Sequence, residues 1–412
     1  MDHVMPVILG GPADCIKPRK PLRSAAWSRY VPGMAEADAP RDLVLLGAGH
    51  AHLAVLRGFA RRPAPGLRIT VIAREARSLH AGMLAGLIRG DCNFAEAHVD
   101  LAPLTAAAGA QLVVAEATAI DPVRRAVRLS GLREIGFDLL SIDIGAIAAM
   151  PPDAGTPVRP IGAFLHRLDA VIAALPPGGR LAIVGGGPAG TELALAVRRR
   201  FAARVVLVCA SAEPLPAAPR RAQAIARAAL NRAGVELAFG VRALGFADGR
   251  VRLSDGSALD AGAALWATEA VGPGLLRASG LACDQDGCVI VDRTLTSASH
   301  AGIFAAGDCA AIRGVPRPKG GVWAARAGET LAENLRRAAQ GRRPCRWRPP
   351  RSALTILGLG DGTALAWRNG IAVSGAAVWR WKNRIDSGWM AQHVTPLDEV
   401  PAARQFRASP PG

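Results

Sequence analysis

The apolar residues of this chain come in short unbroken runs that end in small residues. Leu43-Val44-Leu45-Leu46 leads into Gly47-Ala48-Gly49, and Leu181-Ala182-Ile183-Val184 leads into Gly185-Gly186-Gly187. An unbroken apolar run closed by a glycine turn reads as a strand covered on both faces, the situation in a parallel sheet. Ala51 to Phe59 then reads as a helix, and second strands follow at Arg68–Ala73 and Val205–Val208. Shorter strand-like runs occur at Gln111–Ala115, Ala126–Leu129 and Leu139–Ile144, with a hairpin around Asp255-Gly256 and a last buried run at Ile303–Ala306. A proline-rich stretch from Met150 to Pro160 marks a crossing between domains. The predicted fold is therefore α/β, with two Rossmann-like dinucleotide-binding domains, the second inserted in the first. The first takes residues 41–155 and 285–340, the second 156–284, and a small C-terminal region with an amphipathic helix takes 341–412. Residues 1–40 are expected to be a disordered extension or to precede the true start.

Composition narrows the function classes. Half of the 412 residues are apolar, enough to bury real cores. The net charge of +17 suits anionic lipid or phosphorylated cofactors. Nucleic acid is set aside as a partner, because no motif interleaves basic residues with aromatics. Seven cysteines are scattered without a disulfide framework, which suits a reducing cytoplasm. No apolar stretch is long enough to span a bilayer, and the first 40 residues lack the apolar segment of a signal peptide. The expected location is cytoplasmic, with a peripheral position on the inner face of the cell membrane left open.

The second turn, Gly185-Gly186-Gly187-Pro188-Ala189-Gly190, carries the spacing that a dinucleotide pyrophosphate requires. Gly185 permits the tight turn, Gly187 lets the backbone approach the phosphates, and Gly190 lets helix and strand pack closely. The helix N-terminus then offers free N–H groups and a positive dipole. The first turn has Gly47 and Gly49 but places His52 where the third glycine belongs; His50 and His52 point to different helix faces and are not a metal pair. The run Ile303–Ala306 ends in Gly307-Asp308.

In this order the three elements resemble the FAD-dependent pyridine nucleotide oxidoreductase superfamily, which includes type II NADH dehydrogenases and sulfide:quinone reductases. More narrowly, the chain is similar to the NADH-dehydrogenase-like flavoproteins found fused ahead of selenide, water dikinase. That similarity rests on residues 42–52, Gly82-Met83-Leu84-Ala85-Gly86, Leu140-Ser141-Ile142-Asp143-Ile144-Gly145 and Val378-Trp379-Arg380-Trp381-Lys382. The resemblance implies FAD at Gly47, Gly49, His50 and His52, with Met83 near the flavin and Gly307 and Asp308 on its ribityl chain. Lys319 and the helix from Val322 to Leu335 would cover the flavin end. It implies NAD(P)H at Gly185, Gly187 and Gly190, with Glu192 as the catalytic residue near the hydride-transfer face. A quinone or another acceptor would take the electrons, and a selenium-metabolism partner is implied by the fused relatives. These 412 residues do not resemble the kinase module itself, so ATP-dependent selenophosphate synthesis is not expected of them.

Several positions depart from the family pattern. Neither second strand ends in an acid: Arg74 follows the first, with Glu75 one residue later, and Cys209 follows the second. NADPH therefore stands beside NADH as the donor. Glu269 stands where a glycine is usual, and Gly321-Val322-Trp323-Ala324-Ala325-Arg326 replaces quinone-side glutamines. Cys283 and Cys288 flank a hairpin-turn sequence, so they read as structural; a sulfide:quinone reductase-like alternative would use Cys92 and Cys309. A non-catalytic flavin-binding partner or redox sensor is the alternative from another class. In the last helix Val378, Trp381, Ile385 and Trp389 recur at helical spacing among Arg380, Lys382 and Arg384, either as core packing or as a contact with lipid headgroups.

Overall fold

The computed structural model describes residues 40–152 and 154–394. The expected extension over residues 1–39 lies outside them. Two five-stranded parallel sheets organise the chain. The first has the order Ile303–Ala305, Leu139–Ile142, Arg41–Leu46, Leu67–Ala73, Ala110–Val114. The second has the order Thr156–Pro157, Ala263–Trp266, Arg180–Val184, Arg204–Cys209, Glu236–Phe239. In each, the strand that precedes a glycine turn is central, and its apolar run is covered on both faces: Leu43 to Leu46 and Leu181 to Val184 are all at most 5% exposed. Both units also repeat a three-stranded antiparallel meander after the sheet's edge strand, at residues 117–136 and 243–260.

The chain crosses between the units twice, and the crossings pair with each other. Ile147–Ala148 runs antiparallel to Ala270–Val271. Glu269 sits here, exposed, with its carbonyl accepting the Ala149 N–H at 2.8 Å. Its backbone is not among the positive-φ residues, so the usual glycine is not required. The sequence placed the re-entry into the first domain at residue 285. Ahead of that residue, Leu275, Leu276 and Leu281 pack with the buried residues of the first core.

The C-terminal region ties the two units together. A meander of Thr355–Gly358, Ala364–Arg368 and Ile371–Gly375 packs Leu357, Leu359 and Leu365 against the core beneath the helix Pro188–Arg200. The helix Ala376–Val394 then returns to the first unit, where Met390 joins the core. Its stripe divides in a way the spacing did not anticipate. Val378 is buried and Trp389 packs on the first core, whereas Trp381 and Ile385 are 41% and 42% exposed. The inner face instead carries Lys382 and His393, both buried, because it lies on polar groups of the first unit.

Candidate functional site

Both glycine turns end a central strand and start a helix in the same way. The N-caps Gly49 and Gly187 are both extended, at φ −68° and −73°, and the helices His50–Arg61 and Pro188–Arg200 follow. Gly47 and Gly185 have φ of +95° and +121°, and a Cβ at either would strike the end of the neighbouring strand: the Asp143 carbonyl at 2.2 Å or that of Ala267 at 2.5 Å. These two positions require glycine twice over, by dihedral and by clash. At Gly190 a Cβ would lie 1.8 Å from the Gly185 carbonyl, whereas at Gly187 nothing stands within 4 Å. The second turn thus leaves open space where a pyrophosphate would approach.

The first turn is built differently. His52, fully buried, donates from Nδ1 to the Gly47 carbonyl at 2.6 Å and accepts at Nε2 from the Ser141 hydroxyl at 2.8 Å. Burial pushes its pKa down to about 4, against the Gly47 hydrogen bond that favours the charged form. The imidazole is neutral at physiological pH, and it splices helix to sheet where a third glycine would let them touch. Beside it Asp143, 2% exposed, accepts at Oδ2 from the N–H groups of Ala51 and His52 at 2.8 and 3.1 Å. The sequence reading had not singled out this carboxyl. An acid directly after the strand run Leu139-Leu140-Ser141-Ile142 was the available signal.

Along the carboxyl ends of the first sheet runs a cleft of about 420 Å³. Glu75 and Ala115–Ala117 line one end, Gly47, Gly49 and His50 the middle, and Asp308, Arg159 and Gly321 another part. The late acid Glu75 therefore reaches the cleft after all. Asp308 accepts from Gly320 N at 2.6 Å and from Arg159 Nη1 at 2.7 Å, an ion pair absent from the sequence reading. Gly307 has φ +71° and lies against Asp143. Lys319 is not among the residues that line the cleft: its ammonium donates to Cys288 Sγ and the Ala310 carbonyl, both at 3.1 Å. Met83 packs against the first core while Ala81, two residues before it, lines the cleft.

At the seam with the C-terminal region, Glu192 Oε1 accepts the Gly358 N–H at 2.8 Å. Burial raises its pKa, with Lys382, the Gly358 hydrogen bond and Arg89 pulling the other way. A second polar chain runs from the cleft to the last helix. His50 Nε2 lies 3.1 Å from His80 Nδ1, and His80 Nε2 donates to Asp386 Oδ1 at 3.1 Å. Lys382 bonds both Asp386 and the Gly82 carbonyl at 2.7 Å, and Trp389 stacks on His80 with ring centroids 4.2 Å apart. Of the cysteines, Cys309 is fully buried with its thiol on the Ala306 carbonyl, and Cys92 is 4.0 Å from the Met83 carbonyl.

Two parallel sheets, each with a glycine turn at its carboxyl edge, and a long cleft closed by an Asp-bearing strand define an oxidoreductase that handles two dinucleotides. The chain belongs to the pyridine nucleotide-disulphide oxidoreductase family, whose model matches residues 41–333. It is an FAD-dependent NAD(P)H oxidoreductase of that family. It is 28% identical over 288 residues to the ferredoxin–NAD(+) reductase component of the biphenyl dioxygenase system of Paraburkholderia xenovorans (strain LB400), covering 65% of this chain and 67% of that one. Its fold is similar to that of the sulfide:quinone oxidoreductase of Aquifex aeolicus, with a TM-score of 0.70 at 18% identity over 87% of this chain and 94% of that one. It is also similar to putidaredoxin reductase in its covalent complex with putidaredoxin, with a TM-score of 0.65 at 21% identity over 80% and 81%.

Proposed function

We propose that the chain takes hydride from NAD(P)H held at Gly185, Gly187 and Gly190 and delivers the electrons, through FAD held in the Gly47–Asp308 cleft, to a quinone at an anionic membrane surface. Bound FAD would supply the redox chemistry, taking the two electrons of the hydride and passing them to the quinone, and that chemistry belongs to the cofactor rather than to the protein. The protein's part is to position and to exclude water. Gly187 gives the nucleotide pyrophosphate its open approach, and Asp308, already fixed by Gly320 N–H and Arg159, is set to receive ribityl hydroxyls. Glu192, in the helix that the second turn opens, is the catalytic residue on this reading: its carboxyl is anchored on Gly358 N–H, and burial raises its pKa.

The observation that carries the acceptor side is the outer face of the last helix. Trp381 and Ile385 stand exposed one turn apart between exposed Arg380 and Arg384, while the inner face of the same helix grips the turn at Gly82 beside the cleft. Apolar anchors flanked by cations suit headgroups of anionic lipid. No helix among the described residues is long and apolar enough to cross a membrane. Use of sulfide is disfavoured, since Cys309 is buried on a carbonyl and burial pushes the Cys92 thiol up to about 11. A place beside selenium metabolism rests on the resemblance to the fused flavoproteins alone.

The test is anaerobic reduction of the flavin by NADH or NADPH, then mixing with a water-soluble quinone or with an acidic ferredoxin. Reoxidation by the quinone, accelerated by anionic vesicles, is the expected result. Reoxidation by the ferredoxin alone would replace the quinone reading with a one-electron protein carrier.

A further inference from the structure

The helix N-terminus at the first turn is already occupied by the protein's own acid. Asp143 Oδ2 takes the N–H groups of Ala51 and His52, two of the donors that such a helix offers to a pyrophosphate. The other oxygen, Oδ1, has no hydrogen-bond partner among the described residues. It lies between two glycines: a Cβ would come within 2.4 Å of it at Gly49 and within 2.1 Å at Gly307. Asp143 lines the cleft together with Gly47, Gly49, His50 and Asp308. The glycines at 49 and 307 thus make room for a carboxyl group as well as for a cofactor. The second unit provides an internal comparison, since the strand end that faces Gly185 carries Ala267, a methyl group, at the matching place.

An ionised Asp143 would set a negative charge against the phosphates that the cleft is to hold. The groups around it do not neutralise that charge. From the helix it meets two N–H groups and the neutral His52, from the returning strand Asp308 and the buried Cys309 thiol, and from the following loop Arg317. Arg317 donates from Nη2 to the carbonyls of Gly307 and Ala310, at 3.0 and 3.4 Å, with its Nε and Nη1 buried and unpartnered among the described residues, and Arg159 is paired with Asp308. No cation forms an ion pair with Asp143 among the described residues. A carboxyl in this position is better placed as an acid, with Oδ2 accepting from the backbone and Oδ1 carrying the proton toward the cleft.

We propose that Asp143 holds FAD as a neutral acid, donating from Oδ1 to a phosphate or hydroxyl oxygen of the dinucleotide, so that FAD binding is coupled to uptake of one proton. This rests on the reading of the cleft as the FAD site. The direction of the carboxyl's own titration agrees: burial, with Asp308 adding to it, pushes Asp143 up to about 7 against the two backbone hydrogen bonds and Arg317. Above that pH the affinity for FAD falls by about tenfold per pH unit, and below it the affinity is level.

The experiment strips FAD from the full chain and titrates it back, following flavin fluorescence from neutral to alkaline pH. A pH indicator in weak buffer counts protons in parallel. The variant Asp143→Asn keeps an acceptor for Ala51 and His52 and presents an uncharged donor to the cleft. The expected result is wild-type affinity that declines with rising pH and about one proton taken up per FAD at alkaline pH. Asp143→Asn is expected to show neither effect and to bind FAD more tightly than wild type at the alkaline end. Equal affinity at every pH with no proton uptake by the wild type overturns the proposal, and the proton count decides it even if the variant does not fold. Wild-type protein that binds no FAD at any pH overturns the reading of the cleft itself, and the proposal with it.

Discussion

His52 stands where the second turn has Gly190, and the two residues solve the same packing problem by opposite means. Gly190 lets the helix touch the strand turn directly, while His52 holds it off and bridges the gap with two hydrogen bonds. Restoring the family glycine should therefore harm this protein. His52→Gly leaves the Gly47 carbonyl and the Ser141 hydroxyl unpaired, and is expected to cost about 1–3 kcal/mol in urea unfolding. A gain in stability would contradict the bridging role. The same residue gives a pH signature. Its folded-state pKa lies below the ordinary 6.5, at about 4, so the unfolded chain binds the extra proton in that window. Its contribution is complete above pH 6.5 and lost as pH falls toward 4. His50 and His393 share this sign and Asp143 has the opposite one, so the comparison is His52→Asn against wild type. The variant should lose less stability than wild type between those two pH values, and an equal loss would show that His52 does not carry the effect.

At the scale of elements, the glycine turns were legible because their constraints are local. A positive φ and a clash with the next strand end admit only glycine at 47 and 185, whatever the rest of the chain does. The partners that come from afar were not legible. Arg159 meets Asp308 across 149 residues, and Asp143 meets the first helix across 91; neither pairing leaves a periodic trace. The division of the last helix into two faces was hidden for a related reason. Its inner face is amphiphilic because it covers His80 and the Gly82 carbonyl, so Lys382 and Asp386 belong to the buried side and Trp381 and Ile385 do not. Paired substitutions separate the two faces. Trp381→Ser with Ile385→Ser is expected to leave thermal stability almost unchanged, as exposed changes do, and to abolish binding to anionic vesicles. Retained vesicle binding would remove this face from the membrane reading. Truncation after Ser374 is a different experiment: it removes Trp389, Asp386 and Lys382 together, and should loosen the turn beside the cleft rather than report on lipid.

For the whole molecule, the sequence disclosed a repeated unit, and the structure shows what the repetition builds. Two sheets present their turns at carboxyl edges, the crossings pair as a two-stranded ribbon, and the C-terminal region straps both units from Gly358 on Glu192 to Lys382 on Gly82. The division of labour between the units is the central claim, because each turn can be altered without touching the other. The most direct measurement is the visible absorbance of the FAD-loaded protein mixed anaerobically with NADH or NADPH, for wild type and Gly187→Val. A Cβ at Gly187 meets nothing in the fold, so the variant should keep its stability and its FAD. The wild-type flavin is expected to bleach with about one equivalent of reduced nucleotide per FAD, while the variant stays yellow. A wild-type flavin that neither nucleotide bleaches, or a variant that bleaches as fast as wild type, would contradict the account.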